Sequence, residues 1–250
     1  MPIESQDNNL GQPIGLNIDN WRPCQPPPRK VMQGFYCRLV PLDIAKHGKS
    51  LFEAFAEDSN NHNWTYLPYG PFENLASFTN WLEQACMGND PLFYAVINQS
   101  NNELVGMASY LRITPEVGAI EVGHIHFSPK MQRTPMATEA MYLMMARVFD
   151  ELGYRRYEWK CDALNAPSKS AAERFGFKFE GLWRQATMYK GRNRDTAWFS
   201  IIDEDWDKLL PAYELWLDAK NFDKNGLQRS SLSTLTRAAL AQISGSRRLV

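Results

Sequence analysis

The sequence predicts an α/β (α+β) fold, a central mixed and mostly antiparallel sheet flanked by helices. Three observations lead there. The period of the apolar residues changes along the chain in the order strand, two helices, three strands, helix, strand, helix, two strands. Clusters rich in Gly, Pro and Asn punctuate the changes. A chain of 250 residues that is 44% hydrophobic and free of internal repeats has enough apolar surface for one sizeable core.

Residues 1–33 hold Pro2, Pro13, Pro23 and the run Pro26, Pro27, Pro28, which exclude regular helix and give an extended or irregular arm. The domain is placed at 34–218. A strand over 35–40 is followed by Asp43, an N-cap for a helix reaching about residue 56. Trp64, Tyr66, Tyr69 and Phe72, interleaved with Pro68, Gly70 and Pro71, form a shaped loop before a second helix at 73–87. Strands follow at 92–97 and 104–113 across a polar turn, then at 119–127, a run rich in β-branched and aromatic residues. Ala137, Ala140, Met141, Met144, Val148, Phe149 and Leu152 lie at helical spacing over 136–152, with Gly153 as C-terminal cap. Residues 154–161 alternate Tyr157, Trp159 and Cys161 against Arg156, Glu158 and Lys160, a half-buried strand, and Asn165 caps the short helix after it. A long hairpin, 177–189 with 196–202, precedes a helix from Asp203 to about 217. The tail, 219–250, carries Leu227, Leu232, Leu235 and Leu240 and reads as an amphipathic helix that packs on the domain or joins two copies into a homodimer.

Charge narrows the function classes. The chain balances 27 basic against 28 acidic residues, so no global field recruits nucleic acid or a membrane. The tail arginines lack the interleaved aromatics of a nucleic-acid surface. Cys24, Cys37, Cys86 and Cys161 form no CxxC pair, so neither a metal site nor a disulfide framework is expected. There is no signal-like N-terminus and no long apolar run, and a cytoplasmic protein is the expectation.

The segment 128–139 joins a strand to a helix. A helix N-terminus presents unpaired N–H groups at a positive dipole end, a natural seat for phosphate. Arg133 adds a guanidinium suited to oxyanions, and Thr134 and Thr138 add hydroxyls. These residues alone do not choose among phosphorylated cofactors.

Gln132, Arg133 and Ala137 resemble the pyrophosphate loop of the GNAT acyltransferases, Gln/Arg-x-x-Gly-x-Gly/Ala before a helix. The similarity extends to the RimL-like ribosomal-protein acetyltransferase branch. It runs through Glu121-Val122-Gly123, Thr138-Glu139-Ala140, Asp162-x-x-Asn165-x-x-Ser168, 171–177, Glu180-Gly181 and Arg194-Asp195-Thr196, about 34–206 in all. One departure is Pro135, where the pattern usually has glycine. Proline removes an N–H donor yet suits the first turn of a helix, leaving Met136, Ala137 and Thr138 to supply amides.

The resemblance implies an acetyl-CoA dependent N-acetyltransferase that transfers an acyl group to a primary amine, on a small molecule or a protein N-terminus, by direct attack. It implies that the strands 119–127 and 154–161 splay to admit the pantetheine arm, held by backbone near Ile125, His126 and Phe127 and by the Asn165 side chain. Asn165 reads equally as a helix cap. Glu121 is the candidate base, or else the partner of a nearby arginine. His126 is a second candidate. On a regular pleat His124 and His126 face away from Glu121, and only a bulge re-aims one. The tyrosine acid common in the family is replaced by Ala172, leaving Ser168 as the residue near the sulfur. Trp64, Tyr66, Tyr69 and Trp183 are candidate acceptor walls, and Arg194-Asp195 reads as an ion pair fixing the hairpin. A coenzyme A binding sensor or interaction protein with little catalytic activity is the alternative, kept open by Pro135 and the missing tyrosine.

Overall fold

A computed structural model of the chain describes residues 4–241. In chain order the main elements are β1 (Ser5–Asp7), β2 (Pro13–Gly15), β3 (Met32–Gln33), β4 (Cys37–Pro41), α1 (Ile44–Ala56), α2 (Leu75–Ala85), β5 (Leu92–Asn98), β6 (Leu104–Thr114) and β7 (Ala119–Phe127). Then come α3 (Pro135–Ala146), β8 (Arg156–Asp162), α4 (Ala166–Arg174), β9 (Lys178–Tyr189), β10 (Arg192–Ile202), α5 (Asp203–Leu217) and α6 (Leu232–Ala241). β1 and β2 form a separate hairpin. The rest build one eight-stranded sheet in the order β3-β4-β5-β6-β7-β8-β10-β9. Within it only β7 and β8 run parallel, which makes the sheet mixed and mostly antiparallel as expected.

Alternation along the strands separates two cores. On one face Leu92, Tyr94, Tyr110, Ile120, Val122, Tyr157 and Trp159 meet Met141, Met144 and Met145 of α3 and Trp206, Leu209 and Tyr213 of α5. On the other, Phe93, Ala95 and Met107 meet Leu51 and Phe55 of α1, Phe78 and Leu82 of α2, and Trp64. This second face is covered by helices only over the β4–β6 half of the sheet. Over β7, β8, β10 and β9 it carries charged side chains such as Glu121, Glu158 and Lys160 together with the stacked rings of Trp183 and Trp198.

The local signals hold where they are short-range. Asp43 accepts the Lys46 N–H, and Asn74 closes a reciprocal capping box with Ser77 that starts α2 at 75 rather than 73. The helix expected over 136–152 is two pieces: α3 ends at Ala146 and the chain widens into a π-helical turn over 147–151 before Gly153 (φ 69°). That turn aims the buried Arg147 at the carbonyls of Lys30 and Val31. The proline-rich arm is thus fastened to the domain. Trp21 donates from Nε1 to the Glu116 carbonyl and lies against Gly118, Tyr94 donates to the Pro28 carbonyl, and β3 joins the sheet edge beside β4. In the tail, helix occupies 232–241; Leu227 lies outside it and is exposed, and Arg247 and Arg248 fall outside the described residues. Among the described residues no helix is long and apolar enough to cross a membrane.

Candidate active site

β7 and β8 pair side by side only from Ala119 and Arg156 to Val122 and Trp159. Beyond that point each strand stays with its outer neighbour, β7 with β6 and β8 with β10. The two strands therefore part, and the edge of β7 from Gly123 to Phe127 that faces β8 has no strand partner among the described residues. Ile125, His126 and Phe127 lie on this edge. An unpaired parallel edge offers N–H and C=O groups to any extended ligand that adds as a strand.

At the end of β7 the chain turns through 128–134 into α3. Gln132 braces the turn, donating from Nε2 to the Phe127 carbonyl and to Asn63 Oδ1. Arg133 is exposed and left-handed, with φ 61°, a conformation that costs a non-glycine residue about 1 kcal/mol or more. Thr134 is the N-cap without a side-chain cap bond; its hydroxyl instead donates to the Met131 carbonyl. Pro135 opens the helix, the Ala137 N–H turns back to the Thr134 carbonyl, and the buried Thr138 hydroxyl accepts from Arg174. Both threonine hydroxyls expected at an anion are thus engaged within the chain. Arg133 and the Met136 amide remain at the turn, beside a cleft of about 430 Å³ lined by Phe35, Thr134, Pro135 and Met136.

The histidines correct the regular-pleat expectation. Ser109 lies opposite Gly123 and Met107 opposite His126, so two steps along β6 span three along β7. The extra residue is a bulge, and His124 takes φ 50° in it. The bulge shifts the pleat by one, and His126 joins Glu121 on the face that bears Met107. There His126 is 2% exposed, its ring centroid 4.0 Å from those of Phe55 and Trp64, with neither nitrogen bonded. Burial drives its pKa down to about 3. Its surroundings are those of a packing residue. His124 is on the same side, its Nδ1 3.0 Å from the Tyr69 hydroxyl, and burial followed by the Arg112 charge lowers its pKa to about 4. At neutral pH His124 is uncharged, and its Nδ1 shares one hydrogen bond with the Tyr69 hydroxyl whose direction follows the tautomer.

Glu121 is buried and paired. Arg112 Nη1 lies 2.8 Å from both carboxylate oxygens and Lys160 Nζ 2.7 Å from Oε2. Lys160 also reaches Glu158 Oε2 at 2.8 Å, and Glu158 accepts from Arg156, which continues to Glu180. The result is a row of alternating charges across β6, β7, β8 and β9. Burial raises the Glu121 pKa, and the opposing pull of Lys160 and Arg112 offsets it only in part. The alternation of Arg156, Glu158 and Lys160 was visible in the sequence; that Lys160 and Arg112 converge on Glu121 depends on the pairing of three strands.

The aromatic loop divides in two. Trp64 is 5% exposed and packs edge-on to Phe55 and Phe72, so its ring belongs to the core rather than to an acceptor wall. Tyr66 instead reaches the turn after β8, its hydroxyl donating to the Leu164 carbonyl, and Tyr69 stacks on Trp81 and His124. The hairpin tip closes on the same loop through Lys190 to the Trp64 carbonyl and Arg192 to the Thr65 carbonyl. Trp183 is exposed and stacks on Trp198, whose ring lies 3.7 Å from Lys160 Nζ. Past β8, Asn165 caps α4 by accepting the Ser168 N–H, and the Ser168 hydroxyl accepts from Trp159 Nε1 at 3.0 Å. The expected Arg194-Asp195 ion pair does not form. Asp195 accepts from the Gln185 N–H and Asn193, while Arg194 lies over Tyr189.

Residues 38–178, more than half the chain, match the acetyltransferase (GNAT) domain family. The chain belongs to the GNAT acetyltransferase family. This GNAT protein is similar to a GCN5-related N-acetyltransferase from Brucella melitensis, 46% identical, covering 88% of this chain and 100% of that one with a TM-score of 0.86. It is also similar to YnaD, an uncharacterized N-acetyltransferase of Bacillus subtilis (strain 168), 24% identical over 164 residues, 65% of this chain and 91% of that protein. The structure of RimL, a ribosomal L7/L12 alpha-N-protein acetyltransferase, is 20% identical, covers 69% of this chain and 94% of its own with a TM-score of 0.58, and shares the fold alone. The chain is an N-acetyltransferase of the GNAT family, and the RimL-like branch is a distant likeness.

Proposed function

We propose that this GNAT enzyme moves an acetyl group from acetyl-CoA to a primary amine, on a peptide N-terminus or a small molecule, by direct attack with both substrates bound. The observation that carries this reading is the parting of β7 and β8 after Val122 and Trp159, next to the exposed Arg133 at the start of α3. The residues present fit the cofactor: an open strand edge for an amide-bearing arm, and a guanidinium beside a helix N-terminus for phosphate. When bound, acetyl-CoA supplies an acyl thioester. Arg133 and the Met136 amide hold its phosphates, the edge at Ile125, His126 and Phe127 pairs with its amides, and the Asn165 amide group holds it from β8's side.

Glu121 takes the proton from the acceptor nitrogen. Its burial beside two cations makes it a fixed acceptor, and its raised pKa brings it closer to the working range of a base. The Ser168 hydroxyl, which accepts from Trp159 and hydrogen-bonds the Cys161 side chain, relays a proton to the departing sulfur. Tyr69, Tyr66 and Trp183 stand around the uncovered face of the sheet, where an extended peptide end or a small amine approaches Glu121.

Replacing Arg133 with glutamate tests the cofactor reading. In Arg133→Glu, calorimetry should show acetyl-CoA affinity reduced by about tenfold or more with the circular dichroism spectrum unchanged, as expected for a lost charge-assisted contact. Equal affinity in both proteins would exclude Arg133 from phosphate binding. Thiol release measured against panels of amines and peptides identifies the acceptor class.

A further inference from the structure

The charge row on the uncovered sheet face contains a residue that resemblance to the family did not single out. We propose that Lys160 is a positioning residue for transfer: backed by Glu158 and the Trp198 ring, it fixes the Glu121 carboxylate in place and in its charged form. The proposal rests on the reading of Glu121 as the base.

The two cations at Glu121 differ in kind. Arg112 is on β6 with its side chain 60% exposed, while the Lys160 side chain is 8% exposed and that of Glu121 is 4% exposed. An exposed guanidinium is screened by water and salt and loses side-chain entropy in holding one geometry. Lys160 is held on every side. Its ammonium contacts Glu121 at 2.7 Å and Glu158 at 2.8 Å, with the Trp198 ring 3.7 Å away. The ring is placed by strand register, since Trp198 of β10 lies opposite Lys160 of β8.

The charged and titratable groups around Glu121 are few. β6 contributes Arg112, whose backbone N–H, with that of Ile113, is held by Asp90. β7 itself contributes His124, bonded to Tyr69 of the aromatic loop. β8 contributes Lys160 and Glu158, and Arg156 and Glu180 lie one step further along. Of the two cations in contact with Glu121 among the described residues, only Lys160 has its side chain enclosed. An opposite charge this close lowers a carboxyl pKa by about 1–3 units, so removing it leaves burial opposed by Arg112 alone.

The test compares pH profiles of kcat with one weakly basic primary amine throughout, whose own protonation lies below the range scanned, so that the acceptor adds no acid limb of its own. In Lys160→Met the acid limb should move to higher pH by about one unit or more, and turnover on the high-pH plateau should fall as the carboxylate loses its fixed place. Lys160→Arg should restore much of the wild-type midpoint. Glu121→Gln separates the two readings: loss of the acid limb in that variant together with a wild-type midpoint in Lys160→Met overturns the role of Lys160 alone. An acid limb that survives in Glu121→Gln overturns Glu121 as the base. Should Lys160→Met fail to fold, the wild-type enzyme decides through salt. A midpoint that holds steady between low and molar NaCl supports the buried cation, and one that rises with salt assigns the role to exposed Arg112.

Discussion

His126 shows how one side chain reports both structure and stability. It is packed between Phe55 and Trp64 with neither nitrogen bonded, and its folded pKa of about 3 is far below the usual imidazole value near 6.5. The unfolded chain therefore binds a proton that the folded one refuses. Stability is unaffected by this group above the unfolded pKa and falls as the pH drops below it, by about 1.4 kcal/mol per pH unit until the folded pKa is reached. His126→Leu should narrow the gap between urea midpoints at pH 7 and pH 4.5. An unchanged gap would mean that other groups govern acid unfolding. Glu121 illustrates a different kind of legibility. Its place on the strand is readable from the motif Glu121-Val122-Gly123, and a carboxylate there suits a base or the partner of an arginine. Its partners Arg112 and Lys160 come from strands nine residues upstream and thirty-nine downstream in the count of the sequence, and no local pattern links them.

At the scale of elements, the sequence was most informative where a structural choice is decided within a few residues. Asp43 and Asn165 cap the helices they precede, and Gly153 follows the third helix, because caps are chosen by side chains three or four positions away. The bulge in β7 was not readable. A period-two pattern assigns faces by counting, and one inserted residue reverses every face after it. The π-helical turn after Ala146 was hidden for a related reason, since Val148 and Phe149 satisfy helical spacing whether or not the backbone widens. The attachment of α3 to the sheet depends on Glu139, whose buried carboxylate accepts the N–H groups of Phe35, Tyr36 and Cys37, each at 2.7 Å. Gly34 has no room for a Cβ against that carboxylate. Glu139→Gln replaces an acceptor oxygen with an NH₂ group and should cost about 1–3 kcal/mol in urea unfolding. A loss below a few tenths of a kcal/mol would show that the clamp contributes little.

For the whole molecule, the surprise lies in the segment that sequence pattern describes least. Prolines exclude helix but carry no periodicity, so nothing in residues 1–33 foretells what the extended chain touches. In the structure it runs along the sheet end away from α3's first turn. Cys24 N–H bonds the Pro115 carbonyl, Arg29 reaches the carbonyls of Met87 and Gly88, and Arg147 holds Lys30 and Val31. Trp21 is the anchor, with its indole N–H on Glu116, Arg155 5.9 Å from the ring centroid and Gly118 (φ 64°) beneath it. Trp21→Ala should lower the thermal midpoint by several degrees, the shift expected of about 1–3 kcal/mol in a chain of this size. A midpoint equal to wild type would mark the arm as merely resting on the surface.

The Glu139 clamp also has a use as a gauge. Three backbone hydrogens at the entry to β4 are tied to one carboxylate on the first turns of α3, a turn away from the residues proposed to hold phosphate. Any tilt of that helix end must stretch all three bonds together, and hydrogen exchange at Phe35, Tyr36 and Cys37 converts the tilt into a rate. A ligand that seats against Arg133 and Met136 would register at these amides, beside the cleft that Phe35 and Met136 share, with no label introduced.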